Sequence, residues 1–239
     1  MSSSSDGRSS GGSGSEGSGS GGSSSQVHVL ELADDALIAS HRLSEWVARA
    51  PTIEEDVALA NIALDLLGQA RLLYALVGDE DELAYRRPAA EFRNAVMLER
   101  PNGDFGATIA RSLLLAAHQH ALYSALAQTD GDLGAIAAKA VKEVRYHRDH
   151  ARVWTLRLGD GTAESRRRMQ AGLDSEWAAW GELAPSPEAV AWASAVLGEA
   201  TLRVPGPVVA TARGAHTEDL DELLATMREV SAAHPGATW

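Results

Sequence analysis

The chain contains no cysteine. That absence removes disulfides, thiolate metal sites and cysteine nucleophiles together, leaving carboxylate and imidazole as the side chains able to hold a metal tightly. It also fits a reducing, cytoplasmic setting. Basic charge is in deficit: 21 Lys and Arg stand against 33 Asp and Glu, a formal net charge of -12. No nucleic acid partner is expected on that balance, because phosphate binding is driven by clustered cations. No apolar run approaches the ~18 uninterrupted residues of a membrane span, so no membrane partner is expected either. Strand signals are nearly missing as well: no segment alternates β-branched or aromatic residues with polar ones, and there are only two Phe.

What is present is helical. Residues 1–26 are almost wholly Ser and Gly and cannot bury enough apolar surface to fold, so they are expected to form a disordered tail ahead of a single domain over 27–239. Ala, Leu, Glu and Arg fill the long segments at helical spacing, and the fold class is all-α. A first helix is predicted from about Asp34 to Ala50. Thr52 and Glu55 read as a capping box opening a second, to about Val77, which is apolar nearly all round and therefore expected to be central. A long connection over 79–102 holds a short helix near 90–98. A third helix spans about Phe105 to Gln128, and a turn with Gly131 leads into a fourth. Two helical hairpins joined by a long crossover is a four-helix-bundle connectivity, the one ferritin-like proteins use. Thr162 is the N-cap candidate of a fifth helix reaching Leu183, and further helices follow near 188–199 and 217–233.

The fourth helix, from Ile136 to Leu158, carries Glu143, His147 and His150 in one stripe with Ile136, Ala140, Trp154 and Leu158, an arc of about 60°. Burying a carboxylate and two imidazoles is costly unless each is paired or bound to a metal. A di-metal carboxylate bundle takes one Glu from each of two helices and a Glu-x-x-His motif from each of the other two. Against that demand the second helix offers Asp65 and Gly68 where Glu and His belong, with Asn61 and Gln69 alongside. The fourth offers Glu143 and Tyr146, with the histidine one place late at His147. Folding the chain at Gly131 sets His118 opposite Glu143, and folding at Thr52 sets Ser40 or His41 opposite Asp65. Such a set is poor in the anionic oxygens that hard cations require. The reading favoured is a hydrogen-bonded network in vestigial metal slots, Asp65, Gly68, His118, Glu143, Tyr146 and His147, with no metal and no catalytic residue. The alternatives are a single residual ion, or an active di-metal oxidase using Glu143, His147, His118 and Asp65.

Several long segments resemble the non-catalytic C-subunit family of bacterial phenylacetyl-CoA epoxidases. They include Ser40-His41-Arg42-Leu43-Ser44-Glu45-Trp46, Leu64-Asp65-Leu66-Leu67-Gly68-Gln69-Ala70-Arg71, Lys142-Glu143-Val144-Arg145-Tyr146-His147 and the ending His234-Pro235-Gly236-Ala237-Thr238-Trp239. The resemblance runs over essentially everything after the tail. It implies a ferritin-like bundle that pairs with a homologous A subunit carrying the di-iron centre. It further implies a complex that epoxidises the ring of phenylacetyl-CoA with O2, using NADPH through a flavin and iron-sulfur reductase subunit. This chain would then bind no cofactor itself and support the catalytic subunit.

Arg166, Arg167 and Arg168 fall in the first turns of the fifth helix, where the positive end of the helix dipole disfavours cations. A solvated face is one reading; a contact to an acidic partner surface or to CoA phosphates is the other. Trp177 and Trp180 read as core or subunit-interface anchors, with the C-terminal helix as a second interface candidate. His41 and Glu45, one turn apart, read as a local salt bridge. His118 and His120 point in different directions, so at most one faces the centre.

Overall fold

The computed structural model describes residues 19–235 and 237, with side chains from His28 onward. Helix α1 (Gly19–Ser44) begins within the segment read as tail; residues 1–18 lie outside the described residues. Once Val29, Leu32, Ala33, Ala36 and Leu37 are buried, each residue added upstream gains a backbone bond at little further cost, so the helix runs back past Asp34. It also stops sooner than expected. After Ser44 the chain turns, and Ala48 adopts a left-handed φ of 63° ahead of Pro51, a residue that disfavours helix at the position before it.

Helix α2 (Ile53–Tyr74) starts at Thr52, whose side chain accepts from the Glu55 N–H. The reciprocal half of the box is absent because the Glu55 carboxylate is engaged elsewhere, as described below. The crossover is not the single short helix expected. It comprises a π turn at Glu82–Arg86, a 3-10 turn at Ala89–Glu91 and helix α3 (Val96–Glu99). Helix α4 (Phe105–Leu126) is capped by Asp104, and α5 (Asp132–Asp160) follows the turn at Gly131, where φ is +94°. Helix α6 (Ala163–Ala179) opens on a full reciprocal box between Thr162 and Ser165 and continues as a 3-10 turn to Leu183. Helices α7 (Pro187–Glu199) and α8 (Glu218–Ala233) complete the chain. No strand occurs among the described residues.

Helices α1 and α2 pack as one hairpin, α4 and α5 as the other, and α2 lies against α5. Helices α6 and α7 cover α4 and α5. Gly172 of α6 lets the backbones touch there: a Cβ at that position would stand 2.7 Å from the Ala107 Cα. This is an all-α, ferritin-like arrangement of two hairpins and a long crossover, with additional C-terminal helices.

Buried ion pairs lock the crossover and the C-terminal segment onto this frame. Asp34 is fully buried, accepts from the Tyr74 hydroxyl and the Arg93 N–H, and pairs with Arg87 of the crossover. Asp35 takes both Nη atoms of Arg213, at 2.7 and 2.8 Å, and the Ala95 N–H. Glu99 accepts from Asn94, from the His216 ring and from the N–H and hydroxyl of Thr217, the residue that starts α8. Glu176 of α6 pairs with Arg111 of α4 and with Arg100.

The expected interface anchors lie inside this frame. Trp180 is fully buried, and Trp177 is nearly so and donates to the Gly206 carbonyl. Neither is available to a partner. Helix α8 buries Leu220, Leu223 and Leu224 against the molecule. Glu45 does not pair with His41 but with Arg42, at 2.6 Å. His41 Nε2 is buried without a partner, and burial lowers the pKa of that ring to about 4.

Candidate functional site

Three of the residues read as metal-ligand positions, Asp65, Glu143 and His147, sit along the seam where α2 and α5 run antiparallel. Three polar pairs cross it. Gln69 Nε2 donates to Glu143 Oε2 at 3.0 Å, His147 Nε2 stands 3.1 Å from Asp65 Oδ2, and His150 Nε2 stands 2.7 Å from Glu55 Oε2. The register follows from helix geometry. Asp65 and Gln69 are four apart on one helix, His147 and Glu143 four apart on the other, so both pairs share one face of each. The seam also reaches the surface. Asp65 is 36% exposed and Glu143 22%, while the His147 side chain is 4% exposed.

Burial lowers the His147 pKa against the opposing pull of Asp65 and Glu143. A neutral imidazole carries one ring proton, and the 3.1 Å approach to a carboxylate places it on Nε2. Glu143 is further approached by Lys139 at 3.6 Å. Each carboxylate is thus engaged by a hydrogen-bond donor. Among the described residues no group of three or more His, Asp or Glu is placed to hold an ion. A pair of irons, which requires several converging anionic oxygens, does not fit this set.

Two expected juxtapositions do not form. His118 is buried, and burial drives its pKa to about 4; the charges that act on it are those of Asp35, Arg213 and His28, not Glu143. Folding at Gly131 places His118 and Glu143 on facing helices but says nothing about rotation: Glu143 turns to α2, and His118 turns toward α1. Ser40 likewise makes no pair with Asp65: its hydroxyl reaches the same turn of α2 but donates to the Ala63 carbonyl at 2.7 Å. Gly68 contributes no side chain, and a Cβ there would meet nothing within 4 Å. Tyr146 stands 48% exposed beside the seam, its ring 6.4 Å from that of His147. His120 points outward and accepts from Arg148 at 2.7 Å.

Glu55 is the seam residue that spacing alone misses. It reads as a capping residue, and only the pairing of α2 with α5 reveals His150 as its partner. At the start of α6, Arg167 and Arg168 both bind Glu164, at 2.8 and 2.7 Å, and Arg166 donates to the Gly159 carbonyl at 2.7 Å. Glu164, with Asp104 3.8 Å from Arg168, offsets two of the three cations at that helix start. Arg166 and Arg167 border an open groove of about 770 Å³ that Arg203 also lines.

The fold is that of a ferritin-like helical protein, and along its α2–α5 seam Asp65 pairs with His147 and Gln69 with Glu143. The chain belongs to the phenylacetic acid catabolic protein family, which it matches over residues 23–193. It is 41% identical over 242 residues to the C subunit of the 1,2-phenylacetyl-CoA epoxidase of Escherichia coli (strain K12), an alignment covering 89% of this chain and 98% of that protein.

Proposed function

We propose that this chain is the structural, non-catalytic subunit of a multicomponent phenylacetyl-CoA 1,2-epoxidase in phenylacetate breakdown. The observation that carries this reading is the pairing of Asp65 with His147 and of Gln69 with Glu143 in the slots where a di-iron bundle keeps its ligands. The 41% identity to the C subunit of such an epoxidase supports it. In this reading the chain itself binds no cofactor. The homologous A subunit supplies the di-iron centre, and a reductase subunit supplies electrons from NADPH through flavin and iron-sulfur groups. The complex works in the cytoplasm, away from membranes and nucleic acid. Asp65, Gly68, His118, Glu143, Tyr146 and His147 are then vestigial slots. Arg166, Arg167 and Arg168, all exposed, are candidate contacts for acidic groups, whether on a partner or on CoA.

Reconstitution tests the assignment. The chain alone, supplied with phenylacetyl-CoA, O2 and reductase, is expected to give no epoxide; the chain with the homologous di-iron subunit is expected to co-purify and turn over. Turnover by the isolated chain would end the proposal, as would full activity of the di-iron subunit without it.

A further inference from the structure

Both nitrogens of the His216 ring face atoms that can only accept. Nδ1 stands 2.7 Å from Glu99 Oε2, and Nε2 stands 2.8 Å from the Phe92 carbonyl oxygen. A neutral imidazole has one N–H and cannot serve both; an imidazolium donates to each. Burial acts to raise the Glu99 pKa, but the bonds from His216, Thr217 and Asn94 outweigh it and hold that carboxyl below its ordinary value. The Glu99 side chain is 0% exposed and that of His216 14%, so water does not readily replace a bond lost there.

The ring stands at the root of α8. Upstream, the chain over 202–216 forms no helix or strand, but it is pinned as far as Arg213. Trp177 donates to the Gly206 carbonyl, the Thr211 N–H donates to Gly181, and Arg213 binds Asp35. Gly214 follows, then the clasp. Thr217, the N-cap residue, makes no side-chain bond to its own helix; its N–H donates to Glu99 Oε1, and its hydroxyl lies 2.9 Å from the same atom. Helix α8 packs on the crossover, against α3 and the π and 3-10 turns. The leucines it buries, Leu220, Leu223 and Leu224, all lie in its first half. Its second half borders an open groove of about 680 Å³, with Tyr85 and Arg86 on one side and Met227 and Ser231 on the other. A single helix with so few buried apolar contacts belongs to the low-stability end of a fold.

We infer that the proton shared by His216 with Glu99 and the Phe92 carbonyl is the clasp of a detachable arm: α8 is held on the crossover while the ring is an imidazolium, and comes away from it, with the bundle intact, when the ring becomes neutral. On loss of one proton the remaining N–H goes to the charged acceptor, Glu99. The Nε2 lone pair then faces the lone pairs of the Phe92 carbonyl at 2.8 Å, and the bond to Glu99 loses one of its two charges. The charged groups around the ring favour the cation. Glu99 of α3 and Asp34 of α1 both act on it, and Asp34 is itself paired with Arg87 of the crossover. Arg42 of α1 binds the backbone carbonyls of Glu99 and Asp219 and the Glu45 carboxylate. Asp219 of α8 lies 3.3 Å from the Thr217 hydroxyl. The bond to Glu99, against burial, raises the pKa of the ring above 6.5. The clasp is therefore closed at pH 6 and opens as pH rises through that raised value.

Amide hydrogen exchange of the full chain between pH 6 and pH 9, corrected for the chemical exchange rate at each pH, tests the clasp. The opened fraction of the α8 amides should rise about 10-fold, the cost of one weakened charge-assisted bond, while the α4 amides keep their protection. Nitrogen NMR of the His216 ring should show both nitrogens protonated at pH 6, with a titration midpoint that matches the opening of α8. In His216→Gln, which carries no charge at any pH, α8 should be open to one raised extent throughout. A ring with a single protonated nitrogen at pH 6 would overturn the inference. So would α8 protection that does not change with pH in the parent, α8 and α4 amides that open together, or a pH dependence of α8 that survives in His216→Gln. The parent measurements decide the matter even if the variant does not fold.

Discussion

His147 and Asp65 meet at 3.1 Å across the α2–α5 seam with unequal access to water: the His147 side chain is 4% exposed, that of Asp65 36%. The asymmetry decides what each substitution strands. Asp65→Leu leaves a buried imidazole N–H without an acceptor, at about 1–3 kcal/mol. His147→Leu leaves a carboxylate that water can reach, which should cost less. Urea unfolding of the two variants should rank them in that order, and the reverse ranking would contradict the seam geometry.

The crossover is held by a deeper pair. Asp34 is fully buried, and burial pushes its carboxyl above the usual range even though Arg87, Tyr74 and the Arg93 N–H pull it down. Arg87→Met removes the balancing cation and should cost about 3–5 kcal/mol, whereas Arg87→Met with Asp34→Leu should recover most of the loss. Thermal unfolding of the single and double variants reads both. A double variant no more stable than the single one would show that the pair is not what fixes the crossover.

Stability should fall on both sides of neutrality for opposite reasons. The hydrogen bond that the His216 ring donates to Glu99, against burial, raises the His216 pKa above the ordinary 6.5. The folded chain therefore binds that proton more tightly than the unfolded one. Its contribution is complete below pH 6.5 and fades as pH rises through the folded value. His118 runs the other way. Burial lowers it from 6.5 to about 4, so its contribution is complete above pH 6.5 and is lost as pH falls towards 4, about 3 kcal/mol in all. Denaturant unfolding across pH 4–9 should show the alkaline slope reduced in His216→Gln and the acid slope reduced in His118→Gln. Slopes unchanged by either substitution would contradict these assignments.

Much of the fold is legible in the residues themselves. Thr52 and Thr162 announce helix starts, and the stripe Glu143, His147 and His150 announces a helix with polar business on one side. Less legible is what the stripe faces. Gln69, Asp65 and Glu55 become partners only through the register of two helices far apart in the chain, and Glu55 carries a competing local signal as a capping residue. The turn at Gly131 fixes the height of His118 along the bundle but not the rotation that sends it toward α1. The ties Asp35 to Arg213 and Glu99 to His216 link crossover, α8 and bundle. Their only local trace is the Asp34-Asp35 doublet inside an apolar run. The apolar character of α2 suggests burial all round, yet one of its faces is exposed: composition measures how much apolar surface a helix has, not what covers it.

The most direct measurement is turnover by the reconstituted complex when Asp65→Asn, Glu143→Ala and His147→Leu are combined in this chain. On the proposed assignment, which puts the metal and the reacting atoms in the partner subunit, iron content and epoxide formation should both match the parent complex. Loss of iron or of turnover from a complex that still assembles would contradict the assignment of this chain as the non-catalytic subunit.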